Sequence, residues 1–131
     1  MPAYAIGHFT GVRPHLDLID YVERIQATLD PYSGRFLVHG GRTESLEGEC
    51  AVQLVVIEFP GVEEARAWYG SPGYQKILPL RTRHVDGEAF LVEGVGPDYD
   101  PARRGEALRR SLRAGRPAGD DPGRAGRAPR R

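Results

Sequence analysis

Cysteine is almost missing from this 131-residue chain, with Cys50 its only example. One thiol excludes an intrachain disulfide framework and fits a reducing compartment. Long apolar runs are missing as well: none approaches the ~20 residues of a membrane-spanning helix. The start, MPAYAIGHFTG, has neither the basic n-region nor the apolar stretch of a secretory signal. A cytoplasmic protein without membrane contact is the expectation. No GxGxxG or GxxxxGK[ST] occurs, so no nucleotide cofactor is indicated. Ser33, Ser45 and Ser71 lack the GxSxG setting of a nucleophile. The four histidines, His8, His15, His39 and His84, form no HxH, HxxxH or Cys/His spacing, so neither a metal nor any other cofactor is expected.

Net charge is absent only in the sum. Residues 1–97 hold 8 Lys/Arg against 13 Asp/Glu, a net of −5, and residues 98–131 hold 10 Arg against 5 acids, a net of +5. The first part has the length and apolar content of one folded domain. The second, rich in Arg, Gly and Pro with Tyr99 as its one aromatic, cannot bury a core. It reads as a disordered basic tail, with a short helix allowed over 103–115, RRGEALRRSLRAG. A basic tail can touch nucleic acid or acidic partners, but without interleaved aromatics a solvated extension is the simpler reading.

Within residues 1–97 the periodicities alternate. AYAIGHFT (3–10) reads as a strand. Over 15–29, Leu18, Val22, Ile25 and Leu29 recur at steps of four, three and four, one face of a helix, which Asp30-Pro31 ends. A second strand is expected over 35–46, a turn at 47–49 and a third strand, AVQLVVIEF, over 51–59. A helix over 62–70 opens with acids where the helix dipole favours them. Pro72 begins a further helical piece to Arg81, and EAFLVEGV (88–95) makes the last strand. The order βαββαβ is that of a ferredoxin-like α+β domain: a four-stranded antiparallel sheet in the order 4-1-3-2, with helices on one face. The runs Leu54-Val55-Val56-Ile57 and Phe90-Leu91-Val92 are apolar on both faces, however. Two helices cover one face, and a large exposed apolar patch is rare. The expected cover is a second copy, giving a homodimer with its sheets face to face.

The blocks YSGRFLVHGG, LEG, LVVIEFP, ARAWYGSPGYQKILPLR and FLVEGV resemble, in order and over about residues 3–95, the domain of unknown function 1330 family. The resemblance implies the dimeric α+β barrel, a group that includes cofactor-free monooxygenases, muconolactone-type isomerases and haem-binding members. It departs from the family at His39, where a basic residue, often Arg, is common, and at GVRPHLDL (11–18), where an Asp-led helix start is more usual.

His39 stands in an apolar strand directly before Gly40-Gly41. Glycines within a strand mark a bulge or a close backbone approach, and a bend there would re-aim the histidine. With the hairpin turning at Gly48, His39 would pair near Ile57 and Glu58, making His39 a general base with Glu58 beside it. The alternative is a half-buried structural histidine, with the glycines serving only to curve the sheet. Trp68, Tyr69 and Tyr74 bring large rings with polar tips around a helix break, Arg81 follows, and Tyr32 is a weaker member of the set. These residues suit either a small-molecule pocket or the helix-to-sheet core. The functional expectation is a cofactor-free enzyme, oxygenase- or isomerase-like, acting on a small aromatic or enone-like substrate. A ligand-binding or purely structural dimer is the alternative.

Overall fold

A computed structural model describes residues 1–115. The chain divides into two units, Met1–Gly96 and Pro97–Arg131. The first unit runs β1 (Ala3–Val12), α1 (Leu16–Leu29), β2 (Arg35–His39), β3 (Gln53–Phe59), α2 (Val62–Gly70), α3 (Pro72–Thr82) and β4 (Val85–Glu93). A single 3-10 turn, Asp30–Tyr32, follows α1. The sheet is antiparallel in the order β2-β3-β1-β4, the ferredoxin-like arrangement that the alternating periodicities predict. The second unit contains α4 (Pro101–Arg113), capped by Asp100, whose carboxylate accepts from the Ala102 amide. This helix begins two residues before the allowed stretch 103–115 and ends two before its end, so over 101–113 the tail is helical and not disordered. The expectation for 116–131 lies outside the described residues.

Cross-strand pairing sorts the sheet residues by face, because laterally paired residues point the same way. Ala3, Ala5, Ile57, Phe59 and Leu91 face the helices and pack on Ile25 and Leu29 of α1, Ala65 and Trp68 of α2, and Tyr74 and Ile77 of α3. The stripe on α1 differs from the expected one. Tyr21 is buried where the steps of four and three had put Val22, and Val22 is 46 % exposed. The opposite face carries Val38, Val56, Ile6 and Phe90 in one row across all four strands, with Tyr4 and Val92 in the next. Within the unit Met1–Gly96 no helix covers this face, and Leu54, Phe90 and Val92 are 36 %, 49 % and 45 % exposed.

Caps explain where the helices start. His15 Nδ1 accepts from the Asp17 amide at 2.9 Å, so a histidine caps α1. Ser71 joins the last two helices of the unit: its Oγ donates to the Trp68 carbonyl at 2.7 Å and accepts from the Tyr74 amide at 3.2 Å. The break between α2 and α3 is thereby fully hydrogen-bonded, although Ser71 is buried.

The second strand is where the sequence reading fails most. It ends at His39 instead of continuing to residue 46. Gly40 adopts φ +64°, a left-handed conformation that glycine accepts and that ends the strand, and its amide makes a last bond to the Leu54 carbonyl at 2.9 Å. The bulge lies earlier than the glycines, since the register slips between Phe36↔Ile57 and Val38↔Val56 and leaves Leu37 without an opposite number.

Candidate functional site

That slip decides the direction of His39. In an unbroken strand Phe36 and His39, three residues apart, would point to opposite faces. The extra residue at Leu37 restores the same face to both, and their rings stack at 4.4 Å with 13° between planes. His39 pairs with Val55, which pairs with Gly7 of β1, in a row directed toward the helices. The predicted partner does not come with it. Glu58 pairs with Arg35 and with Tyr4 on the open face, and its Oε1 accepts from Arg35 Nη2 at 2.8 Å and Nε at 2.9 Å. The expected contact between His39 and Glu58 is therefore wrong by two to three positions, because the pairing was counted from Gly48 across a hairpin that the structure replaces with a long connection, residues 40–52.

Between the sheet and the helices lies a cavity of about 690 Å³ whose lining includes His39, Trp68, Tyr69, Tyr74 and Arg81. Five of the seven candidate residues are thus gathered around one space by three separate elements, β2, α2 and α3. Tyr32 packs instead against the edge of the core and does not reach the cavity, and Glu58 is on the other side of the sheet. Space above the sheet is opened by Gly7, where a Cβ would meet the Phe9 ring at 2.6 Å, so that Phe9 folds back over its own strand.

The two helices after β3 hold the aromatic wall rigidly. Trp68 is 3 % exposed, and its indole N–H donates to Thr28 Oγ1 at 3.0 Å, which in turn donates to the Ile25 carbonyl at 2.7 Å. Tyr74 lies 4.1 Å from the Trp68 ring and Tyr69 lies 5.5 Å from Tyr74. Trp68 and Tyr74 are core residues with one side on the cavity, whereas Tyr69 is 41 % exposed. The two readings of this stretch, core or pocket, thus describe different residues of it.

Tyr21 lines the cavity too, although the sequence reading does not name it. Tyr21 OH and Tyr74 OH share a buried hydrogen bond of 2.7 Å. The guanidinium carbon of Arg81 stands 5.8 Å from the Tyr21 ring centre and 4.9 Å from that of Phe9. Burial, reinforced by the Tyr74 hydroxyl, pushes the Tyr21 phenol far above its ordinary range, so it remains neutral. The phenols around Arg81 hold its own pKa up against the lowering effect of burial. The available signal was a tyrosine one step from the apolar stripe of α1.

A second cluster forms at the start of α1. His15 and His84 stack at 3.9 Å with 14° between planes, and His84 Nε2 donates to Asp17 Oδ2 at 2.9 Å. One ligating atom from each of His15, Asp17 and His84 falls within 4.8 Å of the others. Parallel stacked rings send their nitrogen lone pairs side by side, and His15 Nδ1 already accepts an amide. Convergence on one ion would need both arrangements undone. The cluster works as it stands as a cap that ties α1 to the residue before β4.

The sheet order, the helices on one face and this cavity define a ferredoxin-like α+β domain with an aromatic chamber between its layers. The sequence profile of the domain of unknown function family DUF1330 matches residues 2–95, and the chain belongs to that family. Among solved structures it is similar to a protein of unknown function from Rhodopseudomonas palustris, at 15 % identity and a TM-score of 0.56 over 73 % of this chain and 84 % of the other. It is also similar to SnoaB, a cofactor-independent oxygenase from Streptomyces nogalater, at 13 % identity and a TM-score of 0.53 over 76 % and 98 %. A dimeric ferredoxin-like protein of unknown function from Jannaschia sp. CCS1 matches at 13 % identity and a TM-score of 0.50 over 72 % and 100 %. At such identities the likeness establishes the fold. No curated protein matches the sequence. Among the described residues no helix is long and apolar enough to cross a membrane.

Proposed function

We propose that this protein is a cofactor-free enzyme that binds a small aromatic or enone-like molecule in the cavity, with His39 as general base. The observation that carries the reading is the bulge at Leu37, which turns a proton-accepting side chain into a space otherwise lined mainly by apolar and aromatic groups. Tyr69, Tyr74 and Arg81 place the substrate, and Trp68 forms the wall behind it. The first step, common to isomerase-like and oxygenase-like chemistry, moves a substrate proton onto the imidazole from a carbon next to a carbonyl or from an enolic or phenolic hydroxyl conjugated with one. The electron pair left behind spreads onto the carbonyl oxygen. A cofactor-independent oxygenase with this fold supports the reading, since the architecture accommodates such a reaction there.

The assembly we infer is a homodimer in the cytoplasm, with the row Val38, Val56, Ile6 and Phe90 at the centre of the contact. A dimeric neighbour of the same fold supports it. A non-catalytic binding module is the competing reading, favoured by the engagement of Glu58 with Arg35, which leaves His39 without an acidic partner among the described residues.

The test is a thermal-shift screen of quinones, lactones and phenols, followed by turnover assays on each hit with the wild type and two variants. His39→Gln keeps the size and hydrogen bonding but not the basicity. It is expected to lower turnover by ~10²-fold or more with the melting temperature nearly unchanged. His39→Arg is expected to be equally inactive, because a guanidinium accepts no proton near neutral pH. Turnover retained in the Arg variant removes the general base, and binding without turnover in the wild type leaves the binding module.

A further inference from the structure

The cavity carries the opposite charge to the domain around it. Residues 1–97 have 13 acidic side chains against 8 basic ones. None of the acids lines the cavity, whereas Arg81, Arg66 and His39 do. Arg66 is exposed at the rim, and Arg81 is half-buried with two aromatic rings against it. Among the described residues no carboxylate forms an ion pair with Arg81. An arginine cannot shed its charge at neutral pH, and a partly desolvated charge without a counter-ion is unfavourable. The hydroxyls of Tyr74 and Tyr21 support the guanidinium, but Tyr21 is held neutral by burial and by Tyr74 and does not cancel its charge.

The two phenols add a directional element. Their oxygens are 2.7 Å apart, so one proton lies between them and the accepting hydroxyl has its own proton to offer elsewhere. A guanidinium and a spare hydroxyl proton side by side are a donor set for a charged oxygen, and a planar guanidinium matches a carboxylate best. Apart from His39, Gln53 and Arg66, the remainder of the space is mainly aromatic and aliphatic.

We propose that Arg81, Tyr21 and Tyr74 form an anion-binding subsite, and that the cavity selects aromatic carboxylates over neutral molecules of the same shape. The proposal rests on the reading of the cavity as a small-molecule site and adds the charge of the ligand and a role for Tyr21.

The experiment is isothermal titration of the full-length protein with 2-naphthoate and with the neutral 2-naphthamide. The wild type is expected to bind the carboxylate at least ten-fold more tightly. Arg81→Met keeps an apolar stem against Phe9 and should abolish that preference. Tyr21→Phe should reduce it several-fold. Equal affinity for the two probes in the wild type overturns the proposal, as does a preference that survives in Arg81→Met, or carboxylate binding that is undetectable at millimolar concentration. The wild-type comparison stands even if a variant fails to fold. Binding is read without turnover, so tight naphthoate binding by a protein that converts nothing defeats the enzymatic reading and leaves this one in place. Turnover of neutral substrates with no carboxylate preference does the reverse.

Discussion

At position 87 the backbone takes φ +137°, and a Cβ placed there would run into the carbonyl oxygen of His8 on the neighbouring strand. Both the dihedral and the contact involve backbone, so no rotamer relieves them. Gly87→Ala is expected to lower stability by about 2 kcal/mol or more, read as a shift of the urea midpoint. Gly41→Ala is the control: nothing lies within 4 Å of a Cβ there and its φ is not positive, so the change should stay within ~0.5 kcal/mol. The candidate-site residues divide in the same way between what a sequence can and cannot reveal. His39 announces itself as a titratable residue in an apolar run. Tyr21 does not, since a tyrosine beside a helical stripe is ordinary until Tyr74, 53 positions away, is brought to its hydroxyl. Glu58 was misassigned because a partner across a sheet depends on register, and register depends on a bulge with no sequence signature of its own.

At the scale of elements, α1 and β4 are tied by two carboxylates near their starts. Asp17 is held below the usual carboxylate range, chiefly by the hydrogen bond from His84 with the charges of His15, His84 and Arg83 assisting, against a raising effect of burial. Asp86 is lowered likewise by Arg13, whose Nη1 donates to it at 2.7 Å. A carboxylate whose pKa is depressed on folding contributes stability above its unfolded value of about 3.9, and the contribution is lost as pH falls through the folded value. The melting temperature should therefore fall more steeply below pH 4 in the wild type than in Asp17→Asn, as thermal melts from pH 2 to 7 will record. Equal slopes would mean that His84 does not hold Asp17. Seven element ends, Ala3, Leu29, Arg35, Phe59, Val62, Gly70 and Pro72, lie where periodicity, glycines and prolines put them, all signals local in the chain. β2 resisted because Gly40-Gly41 looks like an interruption within a strand when the first of them is its terminus, and the start of β4 lies three residues earlier than its apolar run.

For the whole molecule, the uncovered row of apolar side chains sets the expectation. Light scattering at micromolar concentration should give twice the chain mass, from a contact of ~1,200 Å² or more in total. Leu54 and Val92 point from that face and do not line the cavity. The pair Leu54→Asp and Val92→Asp should yield a folded monomer, with an unchanged far-UV spectrum; a wild type that is already monomeric would end the proposal. Truncation after Pro97 should leave the melting temperature and the number of subunits as they were, since the unit Met1–Gly96 contains the whole sheet and its helices. The order of strands was legible from the alternation of periods alone, because short connections and one covered face leave few topologies. The sequence was silent on the depth of the cavity, which depends on how Phe9 folds over Gly7.

The unpaired Leu37 changes what it means for two members of the family to correspond. Suppose a relative runs its second strand without the extra residue. Written beneath this chain column by column from Phe36, its counterpart of His39 points to the opposite side of the sheet, out of the chamber. A gap of one opposite Leu37 brings the columns back into step, and then the neighbouring residue is the one to compare. Whether a histidine or an arginine occupies a column is thus a secondary question in this segment. The presence or absence of one codon comes first, and it decides which of two adjacent side chains a ligand would meet.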